Sequence, residues 1–195
     1  MIKTEKVIKD GNEYFKVEMI NKVYYLPFKV LGGKKVAFLD ISGQVSLVET
    51  SSEMLARKIV ESGIEFDTIL NPVSKSNALA HAIAIKYNKL TNAEIDYTVV
   101  ARKNLTDTKV SAVYQSVTTK GDQLMSLADD DADYIKGKKV LLVDDVYGAG
   151  GTTKGLKELC EKAQASIVGH AVIAVEKGSK LPEGIIYLFE LPLAE

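Results

Sequence analysis

The chain has 195 residues, 46% of them hydrophobic and 26% charged, enough for one folded unit with a full core plus a modest subdomain, and too apolar for a disordered chain. Lys and Arg number 25 against 26 Asp and Glu, a formal charge of -1, so no global field draws it to nucleic acid or an anionic membrane, and any anion site must be local. The single cysteine, Cys160, excludes an intrachain disulfide, the opening MIKTEKVIKDGNEYF lacks the apolar core of a signal peptide, and no apolar run reaches the roughly 18 residues of a membrane span, so a cytoplasmic setting is expected.

The first fifty residues alternate apolar and polar types in NEYFKVEMI, KVYYLPFKV, KVAFLD and QVSLVE, with turn signals at Gly32, Gly33, Ser42 and Gly43. Short antiparallel strands are expected there. Thr50 and Glu53 have the spacing of a capping box, apolar residues through Leu55 and Ile59 recur at helical spacing, and Gly63 supplies a stop, which predicts a first helix over Thr50 to Ser62. Apolar runs then alternate with helical segments. DTILN (Asp67 to Asn71) precedes a helix from Ser76 to Tyr87, then IDYTVVA (Ile95 to Ala101). KVLLVDD (Lys139 to Asp145) precedes a helix from Thr152 to Ala165, then IVGHAVIAV (Ile167 to Val175) and IIYLFEL (Ile185 to Leu191). Such alternation predicts an α/β fold, a parallel sheet flanked by helices, with residues 1–50 as a small N-terminal β-rich hood and 51–195 as the core of one structural unit. Lys103 to Lys138 breaks the rhythm. It is polar and far longer than the usual connection of roughly 4 to 6 residues, so it reads as a functional or mobile loop.

The segment VLLVDDVYGAGGTTKGL, Val140 to Leu156, carries the most chemistry. A buried strand ends in Asp144 and Asp145, and a glycine loop then opens a helix. Gly148, Gly150 and Gly151 leave room for a ligand against the backbone, helix-start N–H groups attract phosphate, and Thr152 and Thr153 add hydroxyl donors. Paired acids at the carboxyl end of a strand suit sugar hydroxyls or a hydrated Mg2+. A Walker A loop is excluded because Lys154 follows Thr153 and precedes Gly155. A dinucleotide fingerprint fits poorly, since it needs a small residue at Thr153 and an acid where His170 stands. A ligand-free turn would not account for two carboxylates beside three glycines and two threonines. A sugar-phosphate site is the reading that remains.

VLLVDDVYGAGGTT resembles the phosphoribosyl pyrophosphate (PRPP) motif of type I phosphoribosyltransferases. The resemblance runs from Asp67 to Val175 and is closest to the adenine and xanthine group. VVARK (Val99 to Lys103) resembles the basic pair that ends a strand before a mobile loop, and GDQLMSLADDDADYIKGKKVLLVDD resembles the approach to the motif. The resemblance implies that Tyr147, Gly148, Ala149, Gly150, Gly151, Thr152 and Thr153 hold the PRPP 5-phosphate. It implies that Asp144 and Asp145 hold the ribose hydroxyls and touch Mg2+ mostly indirectly. The family's pyrophosphate loop maps onto NPVSKSN, so Ser74, Lys75, Ser76 and Asn77 are expected to bind pyrophosphate together with Arg102 and Lys103, with Lys103 also catalytic. A cis peptide between Val73 and Lys75 is expected from the same likeness. The loop through Tyr114 would close over the sugar and exclude water.

The implied activity is a Mg2+-dependent transfer of the phosphoribosyl group of PRPP to a purine base in nucleotide salvage, by a homodimer that binds neither nucleic acid nor membrane. This chain departs from the Glu-x-Arg-Gly pattern of adenine enzymes at Ser74 to Asn77, so the base is left open, and base choice would rest on the hood and on Glu176 to Phe189. Two alternatives stand beside it: a PRPP-binding regulator or sensor, and a transferase for a pyrimidine or orotate. Tyr14, Tyr24, Tyr25 and Phe28 are candidates to stack on the base or to serve as core. Cys160 reads as a buried inert thiol, His81 and His170 as packing or surface residues, and Asp129 to Asp131 with Asp133 as a solvated turn or helix start.

Overall fold

Two tight turns shape the N-terminal region. Asp10 and Gly11 both take positive φ, as do Ile20 and Asn21, and such pairs match the twist of antiparallel hairpins. They link β1 (Lys3–Lys9), β2 (Asn12–Met19) and β3 (Lys22–Leu31), and β4 (Lys34–Ala37) adds to β3. The structure, a computed structural model, describes residues 2–31, 33–103, 105, 107–115 and 122–194. On β2 the alternation turns Phe15, Val17 and Met19 into the core, where Leu26 of β3 joins them. β13 (Leu193–Ala194) completes this sheet by pairing antiparallel with β4, so the end of the chain returns to the hood.

QVSLVE is not a strand. α1 spans Val45–Glu61, with Gln44 at its N-cap and no capping box at Thr50, whose hydroxyl instead accepts from Tyr24 Oη at 2.8 Å. The buried stripe Leu47, Ser51, Leu55 and Ile59 has a four-residue spacing. Its polar member, Ser51, hid that periodicity from a reading of apolar residues alone.

The second sheet begins with β5 (Thr68–Pro72), followed by α2 (Asn77–Thr91) and β6 (Thr98–Lys103). The segment expected as a long loop holds β7 (Val110–Gln115), β8 (Asp122–Leu127) and α3 (Asp129–Ile135). β7 and β8 pair antiparallel and turn Val110, Ala112, Tyr114, Met125 and Leu127 into the core. β9 (Lys139–Tyr147), α4 (Gly151–Lys162) and β10 (Ser166–Glu176) follow, then β11 (Ile185–Ile186) and β12 (Phe189–Leu191), which both pair with β10. The order is β11-β10-β9-β5-β6-β8-β7, parallel from β11 to β6, with the hairpin antiparallel at the far edge. This mostly parallel sheet beside an antiparallel hood matches the expected fold class.

Two hydrophobic cores cover the two faces of the sheet. Ile69, Leu141 and Val143 meet α1, α2 and the hood, whereas Leu70, Val140 and Leu142 meet α4 and the β7–β8 hairpin. β5 and β9 are neighbours, but the chain leaves β5 toward β6 on one side and returns to β9 on the other. Their carboxyl ends therefore form a topological switch point, where open α/β sheets hold ligands.

Candidate active site

A cavity of about 280 Å3 opens at that switch point. Its walls come from the end of β4 and the residues after it (Val36 to Leu39), the connection from β5 to α2 (Pro72 to Ser76), the end of β9 with the loop to Thr153, and Lys103, Tyr114, Glu176 and Leu191. Every expected phosphate-loop residue from Tyr147 to Thr153 lines it, as do Asp144, Asp145, Ser74, Lys75, Ser76 and Lys103.

The glycine loop is built for an anion. Gly150 is the N-cap of α4 with φ 81°, and no side chain caps that helix, so its first N–H groups are offered to the cavity. A Cβ at Gly150, where φ already favours glycine, would stand 2.8 Å from Tyr147 Oη, and one at Gly148 would stand 2.7 Å from Glu176 Oε2, so the tyrosine or the carboxylate would have to move aside. Tyr147 Oη donates to the Lys180 carbonyl at 3.2 Å, and its ring meets His170 edge-on with 5.9 Å between centroids. His170 is buried, without hydrogen-bond partners among the described residues, and burial pulls its pKa down to about 4, so it supports Tyr147 as a neutral ring.

The acidic pair is fixed from both sides. Asp144, 8% exposed, accepts from Ser76 Oγ at 2.7 Å and from the Asp145 N–H at 2.8 Å, while Asp145 accepts from the Val146 N–H at 2.9 Å. Lys75 Nζ stands 3.9 Å from Asp145 Oδ2. Burial, then repulsion by Asp145, raises the Asp144 carboxyl well above the usual carboxylate range. Burial also raises Asp145, against the pull of Lys75. Two desolvated carboxyls with one nearby ammonium make a site that a cation would relieve.

The Val73–Ser74 peptide bond is cis, within the span where an unusual peptide is expected. Three expected contacts take other partners. The Ser76 hydroxyl lines the cavity but is committed to Asp144, and Asn77 Oδ1 accepts from Asn71 Nδ2 at 2.8 Å outside the cavity. Arg102 leaves the cavity wall to Lys103: its Nη2 lies 3.9 Å from Asp131 Oδ2, and Asp131 Oδ1 accepts from Tyr97 Oη at 2.6 Å. Asp131 is thus buried in a network at the start of α3 rather than solvated in an acidic run. Tyr114 is a buried strand residue packed on Gly155 of α4, yet it still reaches the cavity. Of the region after it, residues 116–121 lie outside the described residues, and so do 104 and 106.

The hood aromatics named from sequence lie elsewhere. Tyr24 bonds Thr50 and the Ser46 carbonyl, Tyr14 and Tyr25 stack edge-on on each other, and Phe28 sits beside Lys6 and Lys35. Phe38 is the hood-side aromatic that lines the cavity. Sequence reasoning passed over it because KVAFLD reads as any half-buried strand. Glu176 falls within the segment expected to govern base choice. Cys160 is buried on α4, and burial pushes its thiol up to about 12.

Fold and cavity together define an α/β protein whose ligand pocket lies where strand order reverses, with an anion cradle and a buried acid pair in one wall. The chain belongs to the phosphoribosyl transferase domain family, whose model matches residues 45–191. It is 31% identical to an adenine phosphoribosyltransferase of Petrotoga mobilis, over 72% of this chain and 77% of that protein. It is 30% identical to the purine biosynthesis transcriptional repressor PurR of Bacillus subtilis, over 78% of this chain but only half of the repressor's length. In fold it resembles the adenine phosphoribosyltransferase of Saccharomyces cerevisiae, with a TM-score of 0.62 and 16% identity over 94% of this chain and 93% of that one. The fold is that of the type I phosphoribosyltransferases, and the adenine group is the branch its relatives support.

Proposed function

We propose that this chain is a purine phosphoribosyltransferase that transfers the 5-phosphoribosyl group of PRPP to a base nitrogen and releases pyrophosphate. The observation that carries this reading is the meeting of an uncapped helix N-terminus, a buried acid pair and two lysines in one cavity. The N-terminus of α4, from Tyr147 to Thr153, takes the 5-phosphate. Asp144 and Asp145 take the ribose hydroxyls. As the bond from C1 to the pyrophosphate oxygen breaks and the bond from C1 to the base nitrogen forms, positive charge builds on the sugar and negative charge on the leaving group. The acids stabilise the first, while Lys75 and Lys103 stabilise the second. Ser74 adds a hydroxyl toward pyrophosphate, and Ser76 serves by orienting Asp144. Asn77 and Arg102 belong to the supporting frame.

Mg2+ fits this donor set. No group of three or more metal-ligating side chains exists among the described residues, but Mg2+ characteristically uses one or two carboxylates and completes its shell with water and substrate phosphates. Asp144 and Asp145 would hold it, mostly through water or ribose hydroxyls, and it would neutralise charge on the pyrophosphate. The N-terminal strands β1 to β4 act as a hood over the base, the chain works as a homodimer, and its setting is the cytoplasm.

The half-length match to a purine repressor favours one second reading, a PRPP-binding regulator with little turnover. Pyrophosphate release from PRPP and Mg2+, measured with adenine, guanine, hypoxanthine, xanthine, uracil and orotate, separates the two. Release with a purine, abolished by Asp144→Asn with Asp145→Asn, supports the purine transferase. Release with uracil or orotate alone moves the activity to pyrimidines. Saturable PRPP binding without release favours the regulator, and no PRPP binding ends both readings.

A further inference from the structure

The acidic residues of α3 hold both ends of the connection from β6 to β7. At the first end, Arg102 Nη2 lies 3.9 Å from Asp131 Oδ2. At the second, the Lys109 N–H donates to Asp129 Oδ1 at 2.9 Å, and the Lys109 ammonium lies 3.6 Å from Asp133 Oδ2 and 4.0 Å from Asp129 Oδ2. Between them, the buried Ser126 hydroxyl donates to the Leu105 carbonyl at 2.9 Å. Asp131 is the deepest anchor of this set. It is 4% exposed, and Tyr97 Oη, from the residue just before β6, donates to its other oxygen at 2.6 Å. One buried carboxylate thus joins the start of β6 to its end. Among the described residues, β6 pairs with β5 only as far as Ala101, and Arg102 and Lys103 pair with β8 alone. Lys103 is therefore the last residue of a strand end held from one side, and it is the β6 residue that lines the cavity.

We propose that Asp131 is a positioning residue for Lys103. By holding the Arg102 guanidinium on one side of β6, it fixes the direction in which the next side chain leaves the strand on the other side, toward the cavity. This role rests on the transferase reading, in which Lys103 meets pyrophosphate. An ammonium on a flexible stem stabilises a leaving anion well only if its backbone is set in advance, because a misplacement of about 1 Å forfeits much of the effect. Arg102 itself stays out of the reaction. Its swing toward substrate would leave a buried carboxylate with the Tyr97 hydroxyl as its remaining side-chain partner among the described residues, which is a costly state.

A double-mutant cycle tests this. Calorimetry measures binding of magnesium pyrophosphate in the presence of ribose 5-phosphate, and turnover is followed with PRPP and adenine, guanine, hypoxanthine or xanthine. Asp131→Asn keeps the shape and an oxygen for Tyr97 but removes the charge that holds Arg102. It should weaken pyrophosphate binding and slow turnover, each about fivefold, with the KM for the base unchanged. Arg102→Gln, at a half-exposed side chain, should do the same, and it carries the cycle alone if Asp131→Asn does not fold. In a Lys103→Ala background neither substitution should have any further effect, because both act through that lysine. A general loosening of the fold would persist in that background, so additive losses overturn the positioning role. An Arg102→Gln loss that survives without Lys103 also overturns it, since the arginine would then touch pyrophosphate itself. A Lys103→Ala variant that binds pyrophosphate and turns over as wild type does overturns this inference and leaves the transferase reading standing. Coupled losses in pyrophosphate binding, with no turnover of any base, remove the transferase reading and uphold the positioning of Lys103. Absence of both PRPP and pyrophosphate binding by the wild-type chain overturns the two together.

Discussion

Ser76 Oγ donates to Asp144 Oδ1 at 2.7 Å across 68 residues of sequence, tying the start of α2 to the end of β9 at the floor of the cavity. The serine is 1% exposed, and its side chain does not cap its own helix. A helix-cap residue has been turned to orient a carboxylate. This bond lowers the Asp144 pKa against the larger effect of burial.

Ser76→Ala should therefore push the Asp144 pKa higher still. PRPP affinity at neutral pH should fall by about tenfold, equivalent to a lost charge-assisted hydrogen bond of about 1.5 kcal/mol. The pH below which binding is lost should move upward. Calorimetric titration of PRPP with Mg2+ across a pH series checks both, and an unshifted profile would remove the orienting role.

The raised carboxyl of Asp144 also sets the direction of stability with pH. The folded state holds this proton more tightly than the unfolded chain does, so stability from this group is full below the ordinary carboxylate range of about 4 and declines as pH rises through the raised folded value. Asp144→Asn removes that decline. The variant should be more stable than wild type at neutral pH, by about 1–3 kcal/mol, with the gain shrinking as pH is lowered toward about 4. It should also lose transferase activity. Urea unfolding at several pH values provides the comparison.

Gly150 and Gly11 isolate two costs of a side chain. Both have positive φ, 81° and 75°, but a Cβ at Gly11 meets nothing within 4 Å, whereas one at Gly150 meets Tyr147 Oη at 2.8 Å. Gly11→Ala should cost about 1 kcal/mol in unfolding free energy from backbone conformation alone, with PRPP affinity unchanged. Gly150→Ala should cost more and weaken PRPP binding, because Tyr147 and the first turn of α4 must shift. Equal losses in both variants would mean that the tyrosine yields freely.

Lys103 lines the cavity, while Lys89 sits in the last turn of α2, away from it. Lys103→Ala should slow turnover by at least about tenfold through lost stabilisation of the departing pyrophosphate, and Lys89→Ala should leave it near wild type. Steady-state rates at saturating PRPP and base decide between them, and equal rates would remove Lys103 from the reaction.

The contrast between Arg102 and Lys103 shows where a reading of residues one after another runs out. Adjacent strand residues point to opposite faces, so one basic residue of the pair reaches the cavity and the other reaches Asp131, which Tyr97 also holds. The β7–β8 hairpin and the start of α1 were lost for a related cause. Ser, Thr and Asp dilute their apolar periodicity, and only burial against α4 and α2 makes those segments a hairpin and a helix.

Sequence by itself determined the alternation of strand and helix, the acid pair in the strand that became β9, and the glycine loop opening α4. Those features are local: a few consecutive residues carry the hydrophobic run, the charges and the backbone freedom that the site needs. Tertiary structure alone decided that Ser76 serves Asp144, that Arg102 turns away, and that the Lys75 ammonium lies over the Phe38 ring. These contacts join segments far apart in the chain. Their partners are chosen by the order of strands in the sheet and by which face each side chain leaves, and neither is written in the spacing of neighbouring residues.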